Sequence, residues 1–148
     1  GNKPIALCSD HSGYELKEAA KSALSMFNLQ FIDFGTFVNR DCDYNDYVSQ
    51  AVEFIQKGEC DFAMAFCRTG QGVNISGNKR KGIRGALVFD EYTSEHAIRH
   101  NSANFFSIPS KYVTPQDLLI MIEIWLNTTF DGGRHMTRIQ KVESYEES

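Results

Sequence analysis

The segment AFCRTGQGVNISGNK, Ala65 to Lys79, passes from an apolar run into a cysteine, an arginine and a loop with two glycines, then into a stretch of helical character. A strand, a glycine loop and a helix in that order aim the free amides of the helix's first turn at whatever sits at the strand's end. Cys67 then has two readings. It is a reactive thiol, favoured by a helix N-terminus and a nearby cation, or it is a buried spacer of a residue type that is commonly buried. Known loop signatures narrow the chemistry. There is no GxxxxGK[ST] phosphate loop and no GxGxxG dinucleotide fingerprint. A phosphatase cradle of the Cys-x5-Arg kind would need arginine at position 73, which is Val73.

The same alternation continues on both sides. Strands are expected over Pro4–Asp10, Gln30–Gly35, Asp61–Cys67, Gly82–Asp90 and Ala103–Pro109, each a short apolar run closed by polar residues or glycine. Between Gly13 and Phe27 the apolar residues Leu16, Ala19, Ala20, Ala23, Leu24 and Phe27 fall at helical spacing. Val48, Ala51, Val52 and Ile55 do the same in Tyr44–Gly58, with Gly58 as the stop. Further helices are expected from about Val73, over Thr93–Asn101 with Thr93 or Ser94 as cap, and after Thr114, which caps a helix opening on Pro115. The polar tail from Gly133 to Ser148 suits one more. Strands alternating with helices imply right-handed βαβ units. The expected fold is therefore α/β: a Rossmann-like, doubly wound domain over residues 1–148 with a five-stranded parallel sheet and a C-terminal helical extension. In such sheets ligands bind at the carboxyl ends of the strands, and that rule points to SDHSG, DYNDY, CRTGQG and RHNSAN.

Composition sets outer bounds. With 148 residues, 42% hydrophobic and 23% charged, the chain has the make-up of a globular domain. A net charge of −4 argues against general nucleic-acid binding. No apolar run reaches the roughly 18 residues of a membrane span, and no secretory signal pattern opens the sequence. Cys8, Cys42, Cys60 and Cys67 form no CxxC pair or zinc spacing, so free thiols in a reducing cytoplasm are expected.

Several residues carry candidate chemistry. Asp10 and His11 form a carboxylate–imidazole pair able to move protons; equally, Asp10 is a helix cap and His11 a solvated ring. His100 and Asn101 suit a proton relay and an oxyanion donor, or simply a helix end. Arg134 and Arg138 stand four apart, on one face of a helix, and suit a phosphate; the plainer reading is a solvated basic face.

In the order SDHSGYELK, DYNDY, CRTGQGVNISGNK, GIRGA, RHNSAN, GGRHMTR, the chain resembles the ribose-5-phosphate isomerase B family and its galactose-6-phosphate isomerase relatives. The resemblance implies a homodimer, often within a homotetramer, with active sites at the subunit interface. It implies aldose–ketose isomerisation of a sugar phosphate through an enediol(ate), without metal or organic cofactor. By matching position, Cys67 is the base; family members with glutamate six positions later have a different base, and Val73 stands there. Thr69 and the amides of Gly70, Gln71 and Gly72, aided by Asn101, form an anion hole. Asp10 and His100 open the sugar ring, Tyr44 lines the sugar site, and His11, Arg134 and Arg138 hold the phosphate. Departures fall at Arg68 (glycine in the family), Asn45 (proline), the SGNK segment (AANK) and Lys111 (arginine). Arg68 either points away, contacts substrate and favours the Cys67 thiolate, or blocks the usual sugar. The alternatives are a hexose-6-phosphate isomerase, a weakly catalytic sugar-phosphate-binding protein, and a thiol-dependent hydrolase or transferase.

Overall fold

The computed structural model describes residues 3–38, 40 and 42–146. Gly1, Asn2, Asn39, Asp41, Glu147 and Ser148, which the 1–148 reading includes, lie outside the described residues. Five strands, β1 (Ile5–Ser9), β2 (Phe31–Asp33), β3 (Ala63–Cys67), β4 (Gly85–Leu87) and β5 (Phe105–Pro109), form one sheet in the order β2-β1-β3-β5-β4. Every pairing is parallel. β1, β3 and β5 are buried along their whole length, as strands covered on both faces must be.

Helices α1 (Tyr14–Met26), α4 (Glu91–Arg99) and α5 (Pro115–Asn127) pack on one face, through Leu16, Leu24, Ala97, Leu118 and Trp125. Helices α2 (Tyr44–Gln56) and α3 (Gln71–Asn78) cover the other, through Val48, Val52 and Val73. The chain thus winds both ways from β1 and β3, and the switch point lies between their carboxyl ends. No helix of the described residues is long and apolar enough to cross a membrane.

The expected α5 start holds: Thr114 and Asp117 form a reciprocal capping box ahead of Pro115. The α4 start does not. Asp90, not Thr93 or Ser94, is the cap; it accepts from the Thr93 amide, and Thr93 reaches back as the N3 residue of the box. A carboxylate caps as well as a hydroxyl, and Asp90 ends the preceding strand run. α3 begins at Gln71, two residues ahead of the expected Val73, because Gly70 takes a left-handed conformation (φ 75°) as its N-cap and turns the chain at once. The C-terminal helix, α6 (Arg134–Glu143), buries none of its residues. It is held by Arg84–Glu143 (3.0 Å) and by the Gly82 amide donating to Glu146 (3.1 Å).

One charged residue joins the core. Lys17 projects from the apolar stripe of α1 and is fully buried. Its ammonium lies 2.5 Å from Asp33 at the end of β2, and Lys21 lies 2.6 Å from the same carboxylate oxygen. The other Asp33 oxygen accepts from the Gly35 amide. Burial alone would raise the Asp33 carboxyl, but the hydrogen bonds from Lys17, Lys21 and Gly35 outweigh it and hold it below its ordinary range. This network clamps α1 to β2. Asp33→Asn should destabilise the fold by about 3 kcal/mol or more in urea unfolding, because it strands a buried ammonium. The carboxylate's contribution is complete above its unfolded value of about 3.9 and is lost as pH falls through the depressed folded value. The variant should therefore also lose part of the wild-type acid-unfolding limb.

Candidate active site

Parallel pairing brings Asp10 and Cys67 to the same edge. Ser9 pairs with Phe66, and the Asp10 amide donates to the Phe66 carbonyl at 3.1 Å. One step further along, the two chains part at the switch point. Asp10 braces the turn that leads into α1: its Oδ1 accepts from the Ser12 hydroxyl (2.8 Å) and the Gly13 amide (2.9 Å). The N-cap of α1 is Gly13, with no side-chain cap bond, so Asp10 is not the helix cap, though the turn fixes one of its carboxylate oxygens. His11 lies in the same turn, half-buried. Gly13 lets α1 come this close. A Cβ there would stand 2.4 Å from the Phe66 carbonyl oxygen, inside any real contact.

Cys67 ends β3 and is 6% exposed. Its carbonyl accepts from the Ser110 amide (2.9 Å), and the Arg68 carbonyl from the Lys111 amide (3.0 Å). The loop after β5 therefore lies against the loop after β3, and Arg68 and Lys111 stand side by side, both exposed. Ser110 was not anticipated, since nothing in its local sequence sets it apart; its hydroxyl also donates to the Ser12 carbonyl (3.0 Å), joining the β5 and β1 loops.

Thr69 accepts from the Gln71 amide through its hydroxyl oxygen (3.3 Å), leaving the hydroxyl proton to be donated outward. The amides of Gly72 and Val73 lie in the first turn of α3, beyond reach of any intrahelical carbonyl. Tyr44 opens α2, and its hydroxyl stands where a Gly72 Cβ would be only 2.7 Å away. The edge therefore gathers a thiol, a carboxylate, the hydroxyls of Ser12, Thr69, Ser110 and Tyr44, two cations and a set of helix-start donors. The thiol at Cys8 is different: burial first, then the charge of Asp33, pushes it up to about 12. It stays protonated and serves as packing.

His100, Asn101 and Arg138 are elsewhere. RHNSAN was expected at the carboxyl ends of the strands; it precedes β5 and so lies at the amino edge. Phe105 pairs with Ala63, while Pro109 pairs with Cys67. The two groups are separated by the length of β5, roughly 13 Å of strand rise. At the amino edge, His100, Asn101, His135 and Arg138 line a cavity of about 570 Å³ under α6, with Ile139 and Val142 of α6 on its apolar side. Arg134 opens α6 and is exposed. The His100 and His135 rings stack at 4.2 Å. Partial desolvation and the charges of His100, Arg134 and Arg138 press the His135 imidazole below its ordinary value. Hydrogen bonding from Arg99 holds Asp131 low in the same way.

The model of the ribose/galactose isomerase family matches residues 5–142. The chain is 31% identical to the ribose-5-phosphate isomerase B of Escherichia coli, over 98% of this chain and 97% of that one. Among solved structures it superposes on the ribose-5-phosphate isomerase B of Clostridium thermocellum with a TM-score of 0.92 at 36% identity, covering 95% of each chain. It superposes on the Mycoplasma genitalium enzyme with bound ribulose 5-phosphate at 0.90 and 31% identity, covering 96% of this chain and 95% of that one.

The closeness of α1 to β3 is testable. Gly13→Ala should force the helix start off Phe66, costing about 1–3 kcal/mol of stability as overpacking does. Urea unfolding matching the wild type would show that the approach is not needed.

Proposed function

The chain belongs to the ribose/galactose isomerase family, and from that premise we propose that it is an aldose–ketose isomerase of sugar phosphates, interconverting ribose 5-phosphate and ribulose 5-phosphate. The observation that carries the residue roles is the meeting of Cys67 and Asp10 at the sheet's switch point, in front of the first-turn amides of α3. Aldose–ketose conversion moves one proton between neighbouring carbons and builds negative charge on an oxygen as it does so. It therefore needs a base that can return the proton and donors already aimed at that oxygen. The Cys67 thiolate removes the proton from C2 of the open-chain aldose. The electrons pass to O1, giving a 1,2-enediolate. Return of the proton from Cys67 to C1, with the O2 proton passing to O1, leaves the carbonyl at C2 and a hydroxyl at C1. The Thr69 hydroxyl, itself held by the Gln71 amide, and the Gly70 and Gly72 amides face the developing oxyanion. Val73 is buried in the core and the other first-turn residues of α3 are Gln71, Gly72 and Asn74, so that turn offers no carboxylate base.

The remaining tasks fall to the amino edge. Sugar phosphates rest as rings, so a proton relay must open the hemiacetal, and the phosphate needs cations to orient it. His100 with Asp10 serves the first task, Arg134 and Arg138 serve the second with His11, and Asn101 assists the anion hole. Within one chain these groups face opposite edges of the sheet. We therefore infer a homodimer in which the amino edge of one subunit closes over the carboxyl edge of the other. Arg68, a cation where the family has glycine, and Lys111, which trades a guanidinium fork for a point charge, are adjacent and exposed beside Cys67; they favour a second reading in which a hexose 6-phosphate is the better substrate, since both changes move the place where a phosphate is held.

A panel of pentose and hexose phosphates followed by NMR tests both readings. Conversion is expected, fastest with ribose 5-phosphate; fastest conversion of a hexose 6-phosphate selects the second reading, and conversion of none rejects the proposal. Cys67→Ala should lower kcat on the best substrate by at least about 100-fold, the lower range for a lost acid–base group, while substrate binding persists. Full turnover in that variant removes Cys67 as the base.

A further inference from the structure

The His100, Asp131 and His135 side chains at the amino edge each offer one ligand atom, and these atoms lie within 4.8 Å of one another. We propose that this cluster is a binding site for a divalent transition metal of the zinc class. Two imidazoles and a carboxylate are a donor set that suits zinc, with water as fourth ligand.

The backbone holds all three residues in place. Asp131 donates its amide to the Arg99 carbonyl (2.9 Å), so the segment before α6 is tied to the end of α4. His100, the C-cap of α4, donates to the His96 carbonyl (3.1 Å). His135 donates to Gly132 (3.1 Å) across the two glycines that turn the chain between it and Asp131. The Gly132 and Gly133 positions face open space, so the turn has room to adjust. His100 Nε2 stands 3.9 Å from Asp131 Oδ2. Bonds of about 2.0–2.2 Å to a tetrahedral metal place ligand atoms roughly 3.3 Å apart. Each side chain therefore closes by about an ångström, and the His100 and His135 rings, stacked at 4.2 Å and 9° from parallel, must turn out of the stack for their lone pairs to converge; none of the three is buried, so they have room to do so.

The charges around the cluster set its strength. Arg99 pairs with Asp131 at 3.2 Å and competes with a metal for the carboxylate. When displaced it keeps Glu95, 3.1 Å from another of its nitrogens, so no charge is stranded. Arg134 and Arg138 add positive field that weakens binding further. Taken with the proposed function, on which this consequence rests, loading withdraws His100 from ring opening and makes the metal an inhibitor.

Calorimetry with zinc chloride, and visible absorption with cobalt(II), read the site without turnover, so their outcome is independent of whether the chain isomerises sugars. The wild type should take up one equivalent per chain and give a tetrahedral cobalt spectrum. Asp131→Asn and His135→Gln should each weaken binding by more than about 100-fold, beyond what loss of an outer partner alone costs. Arg99→Met should tighten it, because the Asp131 carboxylate loses its competing cation. Absence of uptake, or uptake unchanged in all three variants, overturns the assignment.

Discussion

The direction of a parallel sheet governs where every functional residue can stand. A segment that follows a strand emerges at the carboxyl edge, and one that precedes a strand gathers at the amino edge. Asp10 and Cys67 follow β1 and β3; His100 and Asn101 precede β5, and Arg138 lies against them. No rotamer change brings these sets together, because β5 itself lies between them. A reaction that needs both must recruit the second set from another copy of the chain, and closed symmetric dimers are the commonest way proteins do so.

The carboxyl edge is held with little freedom. Lys17, Lys21 and Asp33 fix α1 to β2, and Gly13 lets the start of α1 rest on the Phe66 carbonyl. Asp10 is thereby locked one step from Cys67. The loop after β5 is tied to both neighbours through Ser110 and Lys111. A buried ion pair of this kind adds little net stability over apolar packing, but breaking it is costly. It acts here as a spacer that sets where the β1 loop stands.

Much of this was readable from residues alone. The alternation of apolar runs with helical stripes foretold the five strands, their parallel pairing and the helices on both faces, since periodicity reports which side of an element is buried. Thr114 and Pro115 foretold the start of α5. The misses have physical causes. Lys17 sat in plain view on an inward stripe, yet a charge there has meaning only once its partner, sixteen residues on, is known. Asp90 both ends a strand run and caps the next helix, so its local sequence reads first as the strand's polar stop. RHNSAN carries residues of the same chemistry as the carboxyl-edge loops, but it precedes β5, and only its order relative to that strand fixes the edge at which it stands. The Asp131–His135 cluster was invisible, because its third member comes from another helix.

The division of the site between two chains can be measured with a pair of variants. Cys67→Ala and His100→Ala should each be nearly inactive as pure proteins. Co-expressed in equal amounts, they should recover roughly a quarter of wild-type turnover, because half of the random dimers carry one intact site of two. A mixture no more active than its parents would contradict a site shared between subunits.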